Sequence, residues 1–275
     1  MQETEEDIPG SVTFSFGHAV GIGVQSLFVT GSLDTAIWDT FLGWDVDLLA
    51  DNPRQKKSIW LAISAIQKLD SLRESGFLSD YEVLTYQGKP AIELSFLITF
   101  PKDFKYRGFA DAVLRHKGTG EILVLECKTT SATSVAPAMY KNSAQAVGYS
   151  VVLDAVVGDL SSYKVQYLVY KTKSEEWEAL PFMKDYLARA LWLAELSLDI
   201  EFISRCDEAG VFPMHGESCY DLFRECPYFG VCTLSTDSLV TSLTQEEIDS
   251  VRKSHSDFQI QVTFEELIKS QLEKE

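Results

Sequence analysis

Asp111, Glu126 and Lys128 have the residue types and the spacing to hold a divalent cation beside an ammonium. Val113, Leu114 and residues 122–125 are apolar β-formers, and between them lie the turn residues His116, Lys117, Gly118, Thr119 and Gly120. A turn centred between Gly118 and Thr119 sets Asp111 directly opposite Glu126 on the paired strand, and such partners sit about 5 Å apart. Glu126 and Lys128 are two residues apart in a strand, so their side chains share a face. One edge of an otherwise apolar sheet thus collects two carboxylates and an ammonium. Carboxylates so close together repel, and a hard divalent cation relieves them. Mg²⁺ takes one or two carboxylates together with waters and substrate phosphate. The plainer alternative is a hairpin whose Asp and Lys are solvated at a strand end.

Positioning of a substrate falls to the segment that follows. Pro137 suits a first helical turn, and residues 138–154 continue with helical spacing. Lys141, Gln145 and Tyr149 recur at every fourth position, which makes one polar stripe beside the carboxylates.

Asp111, then Glu126, Cys127 and Lys128, then Gln145 and Tyr149 resemble, in order, the motifs of the PD-(D/E)xK nuclease superfamily. They are most similar to its branch of RecB-like and phage-type exonucleases. The resemblance spans residues 17–232. It implies a mixed central β-sheet flanked by helices (α/β, a restriction-endonuclease-like αβββαβ core). It further implies Mg²⁺ or Mn²⁺ held by Asp111, Glu126 and the Cys127 carbonyl, with Lys128 orienting or activating water. Gln145 and Tyr149 would face DNA, while Glu93 and Gln25 would line the site. Ala110 stands where the name-giving proline would be, a departure common in that branch. The implied activity is a DNA exonuclease in recombination or end processing. Implied partners are DNA, a recombination protein such as a single-strand annealing protein, and further copies of the chain. A structure-specific endonuclease and a non-catalytic DNA- or partner-binding module are the competing readings.

The formal net charge of −17 argues against a general nucleic-acid binder, because such binding rests on Lys and Arg contacts to phosphate. The distribution softens this objection. Lys102, Lys105, Arg107, Arg115 and Lys117 crowd around the hairpin against only Asp103 and Asp111, and Lys141 follows. Lys105, Arg107, Arg115 and Lys141 are therefore the candidate DNA contacts. The chain opens on an acidic stretch without an apolar signal-like run, and no apolar run reads as a membrane span. The expectation is a cytoplasmic protein of a bacterial or phage-infected cell.

The sequence divides into an acidic tail (1–10), a nuclease core (11–210), a cysteine loop (211–235) and a helical extension (236–275). Residues 10–29 read as a glycine-rich helix in which His18 and Gln25 share a face, and close packing would justify its glycines, each costing ~1 kcal/mol. Residues 33–44, 53–75 and 184–204 read as helices, the last with a Leu and Ala stripe assigned to the core. Residues 81–86, 91–100, 163–171 and 177–182 read as strands.

Cys219, Cys226 and Cys232 are spaced C-x6-C-x5-C, with Cys206 upstream. In a reducing compartment such a cluster suggests metal. Cys206 as fourth ligand would give an iron–sulfur centre, and His215 instead would give a zinc-like site. Reduced cysteines in a plain loop are the alternative, and Cys127 reads as a small hydrophobe in its strand. Thr244 to Glu247 and Thr263 to Glu266 look like capping boxes that open short helices, 246–254 and 265–273.

Overall fold

Apolar strands with polar interruptions and helices with single apolar stripes leave few ways to bury surface, and here they form helices on both sides of one mixed sheet. A computed structural model describes residues 11–49, 56–141, 143–157, 162–210, 220–221, 224–225 and 258–272. The helices are α1 (Val12–Thr30), α2 (Leu33–Leu42), α3 (Ile59–Glu74), α4 (Pro137–Lys141), α5 (Ala144–Val157), α6 (Tyr186–Ala209) and α7 (Phe264–Leu272). The strands are β1 (Tyr81–Val83), β2 (Thr85–Tyr86), β3 (Lys89–Pro90), β4 (Ile92–Thr99), β5 (Lys105–His116), β6 (Ile122–Thr130), β7 (Ser162–Lys171) and β8 (Glu176–Asp185), followed by β9 (Tyr220–Asp221), β10 (Arg224–Glu225) and β11 (Ile260–Thr263).

The sheet runs β11-β4-β5-β6-β7-β8, with β1 also pairing with β5. β4, β5 and β6 form an antiparallel meander, β6 and β7 are parallel, and β7 and β8 are antiparallel. A parallel neighbour requires a crossover, which α4 and α5 supply. This is the mixed sheet flanked by helices that the motifs imply. The chain divides into two units, residues 1–192 with 259–275 and residues 193–258. Among the described residues of the second are the distal part of α6 and the short β9–β10 ladder.

One core lies where α1, α2 and α3 meet the sheet. Phe16, Val20, Leu27, Ile66 and Leu69 pack against Ala112, Leu114, Leu123, Leu125 and Leu168. Gly23 permits the close approach of the three helices: a Cβ there would lie 2.0 Å from Thr40 Oγ1 and 2.7 Å from Ile66 Cγ1. Aromatic rings fill the other side. Phe96 lies edge-on to Tyr149 at 5.8 Å, and Tyr106 edge-on to Trp192 at 5.4 Å. Arg189 is fully buried there and its Nη1 donates to Asp154 Oδ2 at 2.7 Å, while Tyr163 donates to Asp154 Oδ1 at 2.7 Å. α5, α6 and β7 are thereby tied by a buried charge pair that would be costly to break.

Several sequence expectations are corrected. The helix expected from 53 begins at Ile59, because the Ser58 side chain accepts from Leu61 N–H and caps it there. The helix expected over 138–154 is interrupted between α4 and α5, so Lys141 does not continue the stripe of Gln145 and Tyr149. Lys184 belongs to β8, and its ammonium donates to the Lys141 carbonyl that the interruption frees. The leucines of α6 assigned to the core are in part exposed (Leu187, Leu191 and Leu198), because Arg189 and Trp192 occupy its inward face.

A strand at 260–263 was not foreseen. β11 pairs parallel with β4, which stitches the C-terminal segment to the sheet edge. The Thr263 capping box forms as expected: Thr263 Oγ1 accepts from Glu266 N–H at 3.2 Å and Glu266 Oε2 accepts from Thr263 N–H at 2.6 Å. The box at Thr244 lies outside the described residues. α1 is long and apolar enough to cross a membrane, with a mean hydropathy of 1.4, contrary to the sequence expectation. Its Phe16, Ala19, Val20, Val24 and Leu27 are instead buried in the helical core.

Two glycines of α1 make opposite predictions. Gly23→Ala lowers stability by about 1–3 kcal/mol through overpacking. Gly21→Ala, where a Cβ meets nothing within 4 Å, raises it by up to ~1 kcal/mol. Denaturant titration of the two variants measures both.

Candidate active site

Ladder pairing fixes where the acidic residues stand. β5 and β6 pair from Arg115↔Ile122 to Ala112↔Leu125, the register expected from the turn, so Asp111 and Glu126 are next in line. The two strands stop pairing there. β5 continues along β4 as far as Lys105, and β6 continues along β7 to Thr130. The sheet therefore forks at the carboxylates. At the fork the Asp111 side chain replaces the missing backbone partner, its Oδ2 accepting from Cys127 N–H at 2.7 Å.

Glu93 reaches the same level from β4. Ile92↔Ala112 and Leu94↔Ala110 flank it, so it stands opposite Asp111 outside the ladder, with φ at 46°. A non-glycine residue in that left-handed region is uncommon and persists only where its surroundings hold it. Gln25 on α1 supplies such a hold, donating from Nε2 to Glu93 Oε1 at 2.5 Å. Glu93, Asp111 and Glu126 thus sit side by side on three neighbouring strands.

The electrostatics follow from this crowding. Glu126 is 1 % exposed, and its Oε1 meets Lys128 Nζ at 2.5 Å. Its other oxygen, Oε2, is buried with no hydrogen-bond partner. Burial, then the Asp111 charge, pushes the Glu126 carboxyl up to about 7. Burial likewise raises Asp111 to about 6, opposed by the Cys127 N–H and Lys128. Burial works against the Lys128 ammonium, yet Glu126, Asp111 and Tyr167 together outweigh it and hold Lys128 above the ordinary lysine range. The Cys127 thiol is pushed well up by burial and then by Asp111 and Glu126, in keeping with a small hydrophobe packed on the core.

Gln145 and Tyr149 also gather here. The Gln145 amide donates to the Tyr149 hydroxyl, and burial followed by the Glu126 charge raises the Tyr149 phenol. Tyr167 is the neighbour that the sequence reading missed. The β6–β7 register lays it beside Glu126, and its phenol is raised by burial. Its residue type does not set it apart from Tyr163 and Tyr170 in the same strand, and it acquires meaning once the register is known.

The candidate DNA contacts are dispersed. Arg115 lies four residues from Asp111 toward the hairpin turn and pairs with Glu82 at 2.7 Å. Lys105 and Arg107 are exposed on the arm of β5 beyond the fork, and Lys141 is exposed at the end of α4. Cys206 is a buried free thiol in α6, whereas His215, Cys219, Cys226 and Cys232 lie outside the described residues. Among the described residues, no three His, Cys, Asp or Glu side chains form a ready metal cage. Two carboxylates suffice for Mg²⁺ or Mn²⁺ when waters and phosphate complete the shell. The partnerless Glu126 Oε2 is the kind of buried oxygen such an ion satisfies, so this donor set fits.

The sequence profile of the PD-(D/E)XK nuclease superfamily matches residues 51–233. The chain belongs to that superfamily. Among solved structures, the crystal structure of SSO0001 matches at 16% identity with a TM-score of 0.31, covering 70% of this chain and 74% of that one. A superposition that distant carries no argument. No curated protein matches.

Raised carboxyls give stability an uncommon pH dependence. The unfolded chain releases these protons from about pH 4, whereas the folded chain keeps them up to about 6 at Asp111 and about 7 at Glu126. Their stabilising contribution is therefore full below about pH 4 and lost as pH rises through 6 and 7. Thermal unfolding of the metal-free protein between pH 4 and 8 should show this loss, and Glu126→Gln should remove much of it.

Proposed function

We propose that the chain is a divalent-metal-dependent deoxyribonuclease acting through Asp111, Glu126 and Lys128. The observation that carries this reading is the buried Glu126 carboxylate with a partnerless Oε2 beside Asp111. Asp111 and Glu126, with the Cys127 carbonyl, would hold Mg²⁺ or Mn²⁺. When bound, such an ion polarises the phosphate and lowers the pKa of its water. Asp111 keeps the fork open by holding the Cys127 N–H, so the acid pair meets the substrate without a covering strand. Lys128, anchored on Glu126, presents an ammonium to the phosphate or to the attacking water. Gln145 and Tyr149 flank the pair, and Gln25 keeps Glu93 at its level. Lys105, Arg107 and Lys141 would meet the DNA backbone outside the fork.

Exonuclease action in recombination or end processing, in a bacterial or phage-infected cytoplasm and beside a strand-annealing partner, is the finer reading. It rests on the likeness of Gln145 and Tyr149 to the end-processing branch. An iron–sulfur or zinc centre built from Cys219, Cys226 and Cys232, with Cys206 or His215 as fourth ligand, is part of the same proposal. A brown protein absorbing near 400 nm after anaerobic purification would support the iron–sulfur form.

End-labelled linear DNA with Mg²⁺ or Mn²⁺ should be degraded by the wild-type chain. Glu126→Gln and Lys128→Ala should each slow this roughly 100-fold or more. Undiminished activity in Lys128→Ala would overturn the assignment. A covalently closed circle should persist under exonuclease action, and its cleavage would establish an endonuclease. Mn²⁺ should raise the unfolding temperature of the wild type at pH 8, and Asp111→Asn should lose that rise.

A further inference from the structure

A groove of ≈ 470 Å³ lies beside the acidic level, between α1, the β2–β3 hairpin and the start of β11, with Gln25, Lys89, Ile92 and Gln259 among its lining residues. We propose that it seats one unpaired nucleotide of the DNA strand whose backbone lies at the Asp111–Glu126 pair. The inference rests on the nuclease reading and adds a substrate class to it, a strand with an unpaired base next to the point of cleavage.

Position is the first argument. Gln25 forms a wall of the groove and also donates to Glu93, which stands opposite Asp111. Neighbouring strands are about 4.8 Å apart, so Glu93 stands one strand from Asp111, and the groove, on the α1 face of the sheet, meets the acidic level at Glu93 through Gln25. Successive nucleotides of a strand could occupy the two places at once.

Chemistry is the second. Ile22, Val29 and Ile92 offer apolar surface to the faces of a planar ring, while the Gln25 amide oxygen and the Gln259 amide nitrogen are the ends left for its edges, the other ends being held by Glu93 and Ser95. Ligand sites of this kind have volumes of about 300–1,000 Å³, with mostly apolar walls and a few placed polar groups. The acid in the groove, Asp39, is occupied, its Oδ2 accepting from Ser26 Oγ at 2.6 Å.

Charge is the third. Lys89 is exposed, and no hydrogen bond or ion pair engages its ammonium among the described residues. A tight turn with positive φ at Gln87 (49°) and Gly88 (77°) carries it on β3 at the rim. A cation held out on a short hairpin beside an apolar slot suits a nucleotide, whose phosphate and base are separate requirements. A base already paired in a duplex has its edge engaged and is not free to enter.

The test is fluorescence anisotropy of the full chain in EDTA, with a labelled 12-mer single strand and the blunt duplex of the same sequence as probes. Wild type should prefer the single strand. Lys89→Ala should weaken single-strand binding roughly 3- to 10-fold and reduce the slope of log K against log salt by about 0.7, the share of one phosphate contact on a single strand. Val29→Trp fills the groove from an exposed position, and it should weaken the single strand while leaving the duplex unchanged. Wild-type affinity in both variants, or equal losses on duplex and single strand, would overturn the proposal. Failure here with normal DNA degradation leaves the nuclease reading intact. Failure to degrade DNA removes that reading while the binding assay still reports on the groove.

Discussion

The Glu126 carboxylate, buried where β5 and β6 stop pairing, is the constraint on which the site depends. A lone carboxylate in that position is expensive, and a second one beside it raises the cost. The chain reduces this in two visible ways: Lys128 sits on one Glu126 oxygen, and Asp111 turns one of its own oxygens to the Cys127 N–H. What is left over is a buried oxygen with no partner and two carboxyls whose protons are held unusually tightly. Under the proposed function, a divalent cation would replace those protons directly. The features that make these carboxylates costly are therefore the ones that would give the site affinity for such an ion.

The rest of the fold keeps that geometry from collapsing. If β5 and β6 paired one step further, the ladder would take the Cys127 N–H and displace Asp111. Each strand instead continues along a different partner, β4 for one and β7 for the other. α5 presses Tyr149 against this region, and the buried Asp154–Arg189 pair fixes α5 to α6. From the opposite side α1 brings Gln25 to Glu93, at a depth that Gly23 permits by letting α1 sit close on α2 and α3. Positioning thus comes from elements far apart in the chain, which agrees with the precision that a two-carboxylate site demands.

Much of this was legible from residue types and spacing. The turn between Gly118 and Thr119 fixed the hairpin register, and with it the opposition of Asp111 and Glu126, because antiparallel pairing from a known turn is simple counting. Period two put Glu126 and Lys128 on one face. Capping chemistry announced α7 through Thr263 and Glu266. These are local properties, set by chain geometry within a few residues.

Other features were decided only in three dimensions. The break between α4 and α5 leaves Lys141 off the stripe because Lys184, over 40 residues later, meets the freed carbonyl. The leucines of α6 look like core by period, yet a buried Arg189 and Trp192 claim the inward face. Gln25 and Glu93 are 68 residues apart, and the positive φ of Glu93 has no signature in its residue type. Residue types and spacing alone specified which strands pair and that they bring Asp111, Glu126 and Lys128 to one level, since turns, caps and alternation act over short range. The tertiary structure decided where the ladder ends, which oxygen is left unsatisfied and what surrounds it, because those depend on competition among distant segments for the same backbone and the same buried space.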